Sequence, residues 1–210
     1  MNQPTRDRIL DAAERLLGRL GYQKMTMEDI AREAGIGKRT IYLHFPSKDE
    51  VALSRIDRLA DRLESRLRTI ATSGGTPTSR IRRMLIERVL YRFDSVRGYY
   101  HSLDEIFQSL RPAYMARRER YFAHEAAAFA EVLADGHSAR EFDCNDPLTT
   151  ARTLLLATNA LLPSAVSVRE LGRRAAVEAR VTDIADLLLN GLRRRDPAHK
   201  TRRRAREINV

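Results

Sequence analysis

Hydrophobic residues recur along the chain at helical spacing. In the N-terminal segment, apolar residues three or four positions apart form one stripe, made of Ile9, Ala13, Leu16, Leu17 and Leu20. Gly21 follows this stripe and is a typical helix-stop signal. No stretch alternates apolar and polar residues over a length that predicts a β-strand. The pattern therefore predicts an all-α fold with about nine helices.

Glycine and proline residues mark the ends of the predicted helices. Residues 35–37 separate two short helices that follow the first one. The two later breaks with the clearest signals are the Gly-Gly-Thr-Pro run at 74–77 and the Asp-Pro pair at 146–147, which is typical of an N-cap and a first helical residue. The remaining predicted helices cover about 47–72, from Thr76 or Thr78 to 96, 102–110, 112–136, 147–167 and 171–194.

Length and composition are those of a globular protein with two modest domains. The chain has 210 residues, of which 43% are hydrophobic and 31% are charged, so it can bury a sizeable core. We predict a small N-terminal domain over 1–50, a larger helical domain over 51–195, and a disordered basic tail over 196–210.

Residues 26–45 carry the pattern of a helix-turn-helix. Thr26 is a good N-cap, and Asp29 three positions later completes a capping box. Gly35 can adopt a positive φ and end the first short helix, whereas Ile41 and Phe45 hold the second helix on the core. The residues left facing outward are Lys38, Arg39, Thr40, Tyr42, Leu43 and His44, a set that suits a DNA major groove and its phosphates.

This segment resembles the DNA-binding domain of the TetR family of bacterial transcription regulators. The resemblance covers residues 6–51 and is carried by Thr26-x-x-x-Ile30-Ala31-x-x-Ala34-Gly35 and Thr40-Ile41-Tyr42-x-His44-Phe45-x-Ser47-Lys48. It implies a homodimer with two helix-turn-helix units on a near-palindromic operator, and a C-terminal domain that binds a small effector. It also implies a ligand-responsive regulator, most commonly a repressor; an activator is the alternative.

The resemblance also implies roles for single residues. The helix over 38–44 would enter the major groove, where Arg39 and Thr40 reach bases. The residues that would mostly contact the DNA backbone are Thr26, Tyr42, His44 and Lys48. Lys48 also lies at a predicted helix N-terminus, where the helix dipole favours a phosphate. Gly37 departs from the family pattern, in which a Ser or Thr cap is usual, so one hydroxyl–phosphate contact is missing. The alternative for the whole segment is a helix-turn-helix that serves only as a packing unit.

The last two predicted helices indicate a dimer interface. Residues 154–162 are apolar nearly all round, which is typical of a helix that is buried on more than one side. The final helix has an apolar stripe of Val177, Val181, Ile184, Leu188 and Leu192. Two such helices per subunit can pair with their two-fold mates as a four-helix bundle, and the TetR resemblance implies the same. The alternative is an ordinary monomer core.

Nine aromatic residues concentrate between 91 and 129, on helices that would line an effector cavity in this family. Arg88, Arg152, Thr158 and Asn159 offer the oriented polar groups that a pocket needs. The predicted effector contacts are Arg88, Tyr91, Phe107, Tyr114, Tyr121, Arg152 and Asn159. The alternative is that most of these aromatic residues are plain core.

The formal net charge of +10 lies mostly in the last 18 residues. Residues 1–50 carry a net charge of only +1, whereas residues 193–210 carry +6. A partner that bears phosphate is therefore expected. The tail permits a second hypothesis, a non-specific DNA-coating or architectural protein, although the nearly neutral N-terminal domain favours specific placement over charge. The tail can equally be a solubilising terminus.

Enzyme chemistry has no positive signal in the sequence. His124-Glu125 begins a zinc-binding H-E-x-x-H pattern, but position 128 is alanine. His101, Asp104 and Glu105 have metal-face spacing, but acidic residues are also favoured in a first helical turn. We expect no metal and no cofactor. The lone Cys144, the lack of an apolar span and the lack of a signal peptide predict a soluble, cytoplasmic protein. The TetR resemblance implies that this protein is bacterial and associated with the nucleoid.

Overall fold

A computed structural model describes residues 3–163 and 168–194 of the chain. Within those ranges the structure is helical and contains no strand, only one isolated bridge between Phe142 and Arg193, so the all-α prediction is confirmed. The elements are α1 (Gln3–Lys24), α2 (Met27–Glu33), α3 (Lys38–His44), α4 (Lys48–Ala71), α5 (Pro77–Val96), α6 (Tyr100–Ser138), α7 (Pro147–Thr158), a 3₁₀ turn (Asn159–Leu161), α8 (Val168–Leu171) and α9 (Arg174–Leu192).

The short helices at the N-terminus begin and end where their capping residues place them. The Thr26 hydroxyl accepts a hydrogen bond from the Asp29 amide at 3.1 Å, and the Asp29 carboxylate accepts one from the Thr26 amide at 3.2 Å. Gly35, with φ of +63°, turns the chain between α2 and α3. Gly21, with φ of +79°, interrupts α1, which resumes for one short turn up to Lys24.

The middle of the chain differs from the prediction. Two helices were expected over 102–110 and 112–136, but the structure has one helix, α6, with Pro112 inside it. Contacts hold the helix on both sides of the proline. Ser102 donates a hydrogen bond to the Leu17 carbonyl at 2.8 Å, and Arg117 pairs with Glu50 at 2.9 Å. Together with the burial of Leu103, Ile106 and Leu110 in the core, these contacts offset the local cost of an interior proline, which is about 3 kcal/mol.

The last two predicted helices are both shorter in the structure. α7 ends at Thr158 instead of 167, because a 3₁₀ turn follows and Leu162, which precedes Pro163, is extended. The final helix begins at Arg174 instead of 171, because Leu171 closes the separate α8 and Gly172 has a positive φ of +82°. Residues 164–167 and the predicted basic tail, 196–210, lie outside the described residues.

The core of the N-terminal helices continues into α6. Ile30, Ile41 and Phe45 share one apolar cluster with Leu103 and Ile106, which belong to the first turns of α6. A second cluster lies between α4, α5, α6, α7 and α9, and a third joins α5 to α9. The first half of α6 therefore packs directly on the helix-turn-helix.

The buried face of α9 is rotated from the predicted stripe. Val177 and Val181 are fully buried as expected, but Ala185 and Leu189 complete the core face, and Ile184, Leu188 and Leu192 lie at its edges. Leu187 is 74% exposed. No helix in the described ranges has the length and apolar character needed to cross a bilayer.

Candidate nucleic-acid interface and inner cavity

The solvent face of α3 carries the residues expected to contact DNA. Tyr42 is 45% exposed, and both Lys38 and Arg39 are exposed beside it. The Lys38 ammonium pairs with Glu28 of α2 at 2.5 Å. This hydrogen bond raises the pKa of Lys38, so the ammonium keeps its charge at neutral pH. Leu43 is 74% exposed on the same helix, and no side chain in the described ranges covers it.

The turn before α3 is held by α1. Arg8 donates hydrogen bonds to the carbonyls of Ala34 and Gly35, at 2.8 and 3.3 Å. Arg6 lies over the Phe45 ring at 4.5 Å from its centroid. Ile41 and Phe45 are both fully buried. α3 therefore presents its outer face from a fixed position.

Thr40 and His44 are less exposed than Tyr42, and Thr26 is the N-cap of α2 rather than a residue of α3. Thr26 is exposed, but its hydroxyl also hydrogen-bonds to the Asp29 carboxylate at 2.7 Å. Thr40 and His44 are half-buried. The Nδ1 atom of His44 is buried without a hydrogen-bond partner among the described residues.

Lys48 contacts the chain around the end of α1, and its expected phosphate contact stays a prediction. Its ammonium donates hydrogen bonds to the carbonyls of Tyr22, Gln23 and Met25, at 3.1, 3.1 and 3.3 Å. It also lies 4.7 Å from the centroid of the Tyr22 ring. The side chain of Lys48 thus satisfies the last carbonyls of α1, which the sequence spacing alone could not reveal.

A cavity of about 70 Å³ lies where α1, α4, α5 and α6 meet. Its wall is mostly apolar, with Leu17 and Ile56 on one side and Val96 and Phe107 on the other. Arg55, Arg92, Tyr99 and Tyr114 are its polar members. Because Leu17 and Ala52 belong to the core of the N-terminal helices, the cavity borders both predicted domains.

A buried ion cluster lies beside this cavity. Arg88 pairs with Glu125 at 2.6 Å, and Arg92 contacts the other oxygen of the same carboxylate. The Arg88 guanidinium also donates hydrogen bonds to Thr158 Oγ1 and Asn159 Oδ1, both at 2.8 Å. The cluster fixes the end of α7 to α5 and α6.

The charges of this cluster persist at neutral pH. Burial would raise the pKa of Glu125, but Arg92 and Arg88 more than offset it and lower that pKa to about 2. Burial lowers the pKa of Arg88 to about 10, against the opposing effect of Glu125. At pH 7 both the carboxylate and the guanidinium are therefore ionised.

The predicted effector residues divide among three cavities and the surface. Phe107 and Tyr114 line the 70 Å³ cavity. A smaller space of about 20 Å³ includes Arg88, Tyr114, Tyr121 and Asn159. Tyr91 lines a third space of about 80 Å³, which shares Arg55 with the first cavity, and the Arg66 guanidinium lies 4.8 Å from the Tyr91 ring centroid.

Arg152 lines none of these spaces, and its predicted effector contact stays untested. It is exposed on α7, because Ala151, Leu154 and Leu155 take the core face of that helix. Sequence reasoning missed Arg55, Arg92 and Arg118. Arg88 and Arg92 are one helical turn apart, so the sequence could have indicated that their side chains lie on one face of a helix. It could not have indicated that Glu125 lies opposite them.

Ion pairs and hydrogen bonds join the helix-turn-helix domain to α6. The Arg117 guanidinium bridges Glu50 and Asp57 of α4, and the Tyr121 hydroxyl donates to Asp57. Asp57 and burial together raise the pKa of Tyr121, with burial the larger cause. Arg55 of α4 pairs with Glu14 of α1 at 2.5 Å and contacts the Tyr99 hydroxyl. Direct polar contacts therefore connect α6 to α4, and α4 to α1.

Comparison with known proteins agrees with this architecture. The profile described as bacterial regulatory proteins, tetR family, matches residues 9–54. The HTH-type transcriptional repressor KstR of Mycolicibacterium smegmatis is 34% identical over 80 residues, which make up 38% of this chain and 39% of that protein. The chain spans no more than about two-fifths of the length of the curated regulators that it matches.

Solved structures match over most of the chain. The crystal structure of a TetR/AcrR-family regulator from Thermobifida fusca is 28% identical, with a TM-score of 0.63, and the match covers 90% of this chain and 98% of that one. A transcriptional regulator from Cytophaga hutchinsonii has a TM-score of 0.74 at 19% identity, with 90% and 98% coverage, and supports the fold alone.

The chain therefore joins an N-terminal helix-turn-helix, which matches the TetR-family model over residues 9–54, to further helices whose arrangement is similar to that of a TetR/AcrR-family regulator.

Proposed function

We propose that this protein is a ligand-responsive transcription regulator, most simply a repressor that a small molecule releases from a near-palindromic operator. The observation that carries the proposal is the outer face of α3, where Arg39, Thr40 and Tyr42 lie on a helix whose turn is fixed by Arg8. Guanidinium and hydroxyl groups on an exposed helix suit base edges and phosphates. A protein with this function works on the bacterial nucleoid in the cytoplasm.

Two copies are needed to recognise a palindrome. α7 and α9 each expose a large apolar side chain, Leu156 at 60% and Leu187 at 74%. Burial of these side chains against a second copy supports a homodimer through the same two helices that the sequence indicated. In such a dimer the two α3 helices would enter successive major grooves, ~34–36 Å apart.

The position of the cavity supports regulation by an effector. Leu17 of α1 and Ala52 of α4 form part of its wall, and α4 also carries Glu50 and Asp57, which Arg117 of α6 bridges. A molecule that binds better to one arrangement of α4 and α6 would change the spacing of the two α3 helices. Operator affinity would then change by the differential binding energy, typically ~1–3 kcal/mol.

Selection from a random pool of duplex DNA tests this function. The full-length protein should enrich an inverted repeat with half-sites about one helical turn apart. Arg39→Ala should weaken or change the enriched sequence, whereas Arg111→Ala, which removes an exposed cation from α6, should not. Enrichment without any shared sequence would overturn the proposal and favour a non-specific DNA-coating protein.

A further inference from the structure

The 70 Å³ cavity has an apolar wall, and both of its charged lining residues are arginines. Among the described residues that line it, Arg55 and Arg92 are the charged side chains, and no aspartate or glutamate is among them. Most of the remaining wall is hydrocarbon, including Leu17, Ile56 and Phe107. An apolar wall binds an apolar body, and a few polar groups then fix its orientation.

The adjoining smaller cavity has more cations than anions. Arg92 and Tyr114 line both spaces, so the two meet at these side chains. Three arginines, Arg88, Arg92 and Arg118, line the smaller space together with one carboxylate, that of Glu125. Arg88 and Arg92 share that carboxylate, and the half-buried Arg118 has no ion pair within the described part of the chain. These four side chains carry a net charge of +2, which one further negative charge would lower to +1.

The wall also holds a hydrogen-bond donor without a partner. The side chain of Arg55 is only 6% exposed, and its Nε is buried with no acceptor among the described residues. Its other nitrogen atoms are used by Glu14 and Tyr99. An unsatisfied buried donor carries a desolvation cost that a polar atom of a bound molecule would relieve.

We propose that the two adjoining cavities bind an apolar molecule that carries one acidic group. This inference rests on the proposed function and names the chemical class of its effector. The hydrocarbon part lies along Leu17, Ile56 and Phe107, and the anionic group accepts hydrogen bonds from Arg92 and Arg118. Neutral apolar molecules of the same length fit the same wall but leave Arg118 without an ion pair among the described residues.

A pair of matched probes, octanoate and 1-octanol, tests the proposal by isothermal titration calorimetry on the full-length protein. We expect octanoate to bind at least tenfold more tightly than 1-octanol, because only octanoate makes charge-assisted hydrogen bonds. Arg118→Gln should weaken octanoate binding at least tenfold and change 1-octanol binding by less than twofold. Arg118 has no ion pair to lose in the described structure, so this variant should also unfold at an unchanged temperature.

The control variant is Arg111→Gln, which removes the same charge from an exposed position of the same helix. It should bind both probes as the wild type does. Equal affinity for the two probes, octanoate binding that Arg118→Gln leaves unchanged, or no binding of either probe would each overturn the proposal.

DNA binding separates this inference from the proposed function. Without a probe, Arg118→Gln should enrich the same DNA sequence as the wild type, because Arg118 lies on α6 and away from the α3 face. Specific DNA binding without octanoate binding would contradict the ligand class alone. Octanoate binding without any enriched DNA sequence would contradict the regulatory function alone.

Discussion

At the scale of single residues, the buried carboxylate of Glu125 is expected to make a large contribution to stability. Its carboxylate is 4% exposed and pairs with both Arg88 and Arg92. We expect Glu125→Gln to lower the free energy of unfolding by about 3 kcal/mol, because it leaves two guanidinium groups without a counter-charge. Chemical denaturation at pH 7 measures this loss. Glu131→Gln, which alters a 60% exposed carboxylate of the same helix, should change stability by less than about 0.5 kcal/mol.

The same variant gives a pH dependence with a definite sign. The pKa of Glu125 is about 2 in the folded protein and 4.5 in its ordinary state. The stabilising effect of the carboxylate is therefore complete above pH 4.5 and is lost as the pH falls from 4.5 towards 2. The stability difference between the wild type and Glu125→Gln should shrink over that window. A difference that stays constant from pH 7 to pH 3 would contradict this account.

Gly18 allows α1 to approach the loop between α5 and α6. A Cβ at this position would lie 2.5 Å from the backbone oxygen of Gly98. Glycine in a helix interior normally costs up to about 1 kcal/mol relative to alanine, but here we expect Gly18→Ala to destabilise the protein by about 1–3 kcal/mol through overpacking. Gly191→Ala in α9, where a Cβ meets open space, should be neutral or stabilising. Thermal unfolding of the two variants decides between these outcomes.

At the level of elements, the proposed recognition helix α3 has an incomplete N-cap. Gly37 has φ of −71° and ψ of 152°, which any residue adopts, and it offers no side-chain hydrogen bond to the helix. Gly37→Ser should raise the free energy of unfolding by about 0.5–1 kcal/mol, because it adds a cap and restricts the unfolded chain. Gly35→Ser, at φ of +63°, should instead lower it. If both variants shift stability in the same direction, the capping argument is wrong.

Local signals were enough to predict the helix-turn-helix. The capping box of Thr26 and Asp29, the turn at Gly35 and the buried pair of Ile41 and Phe45 depend on residues close together in sequence. Helix lengths further along were not predictable in this way. The continuity of α6 through Pro112 depends on Leu17 and Glu50, which are more than 60 residues from the atoms that contact them.

Some features of the candidate sites also depend on residues close together in sequence, whereas others depend on residues far apart. The exposure of Arg39 and Tyr42 follows from the periodicity of α3. The role of Lys48 at the end of α1 depends on carbonyls about 25 residues away, and the cluster of Arg88, Arg92 and Glu125 depends on the packing of two long helices. The sequence contains the charges, but only the fold brings them together.

At the scale of the whole molecule, the proposed recognition of a near-palindromic operator requires a dimer. Leu187→Glu places a charge at an apolar position of α9 that is 74% exposed. The variant should remain folded, as a single copy already exposes this residue, but it should sediment as a monomer in analytical ultracentrifugation. Met115→Glu, at a 45% exposed position of α6, should remain dimeric. A wild-type protein that is monomeric at micromolar concentration would refute the proposed interface.

The central claim is that α3 recognises a DNA sequence. Its most direct test is a fluorescence-anisotropy titration of the full-length protein onto the duplex upstream of its own coding region and onto a shuffled duplex, from 50 to 300 mM salt. We predict at least ~10³-fold tighter binding to the native duplex, and no loss of that ratio when residues 196–210 are deleted. Equal binding of both duplexes, with a steep salt dependence that disappears with the tail, would contradict the claim.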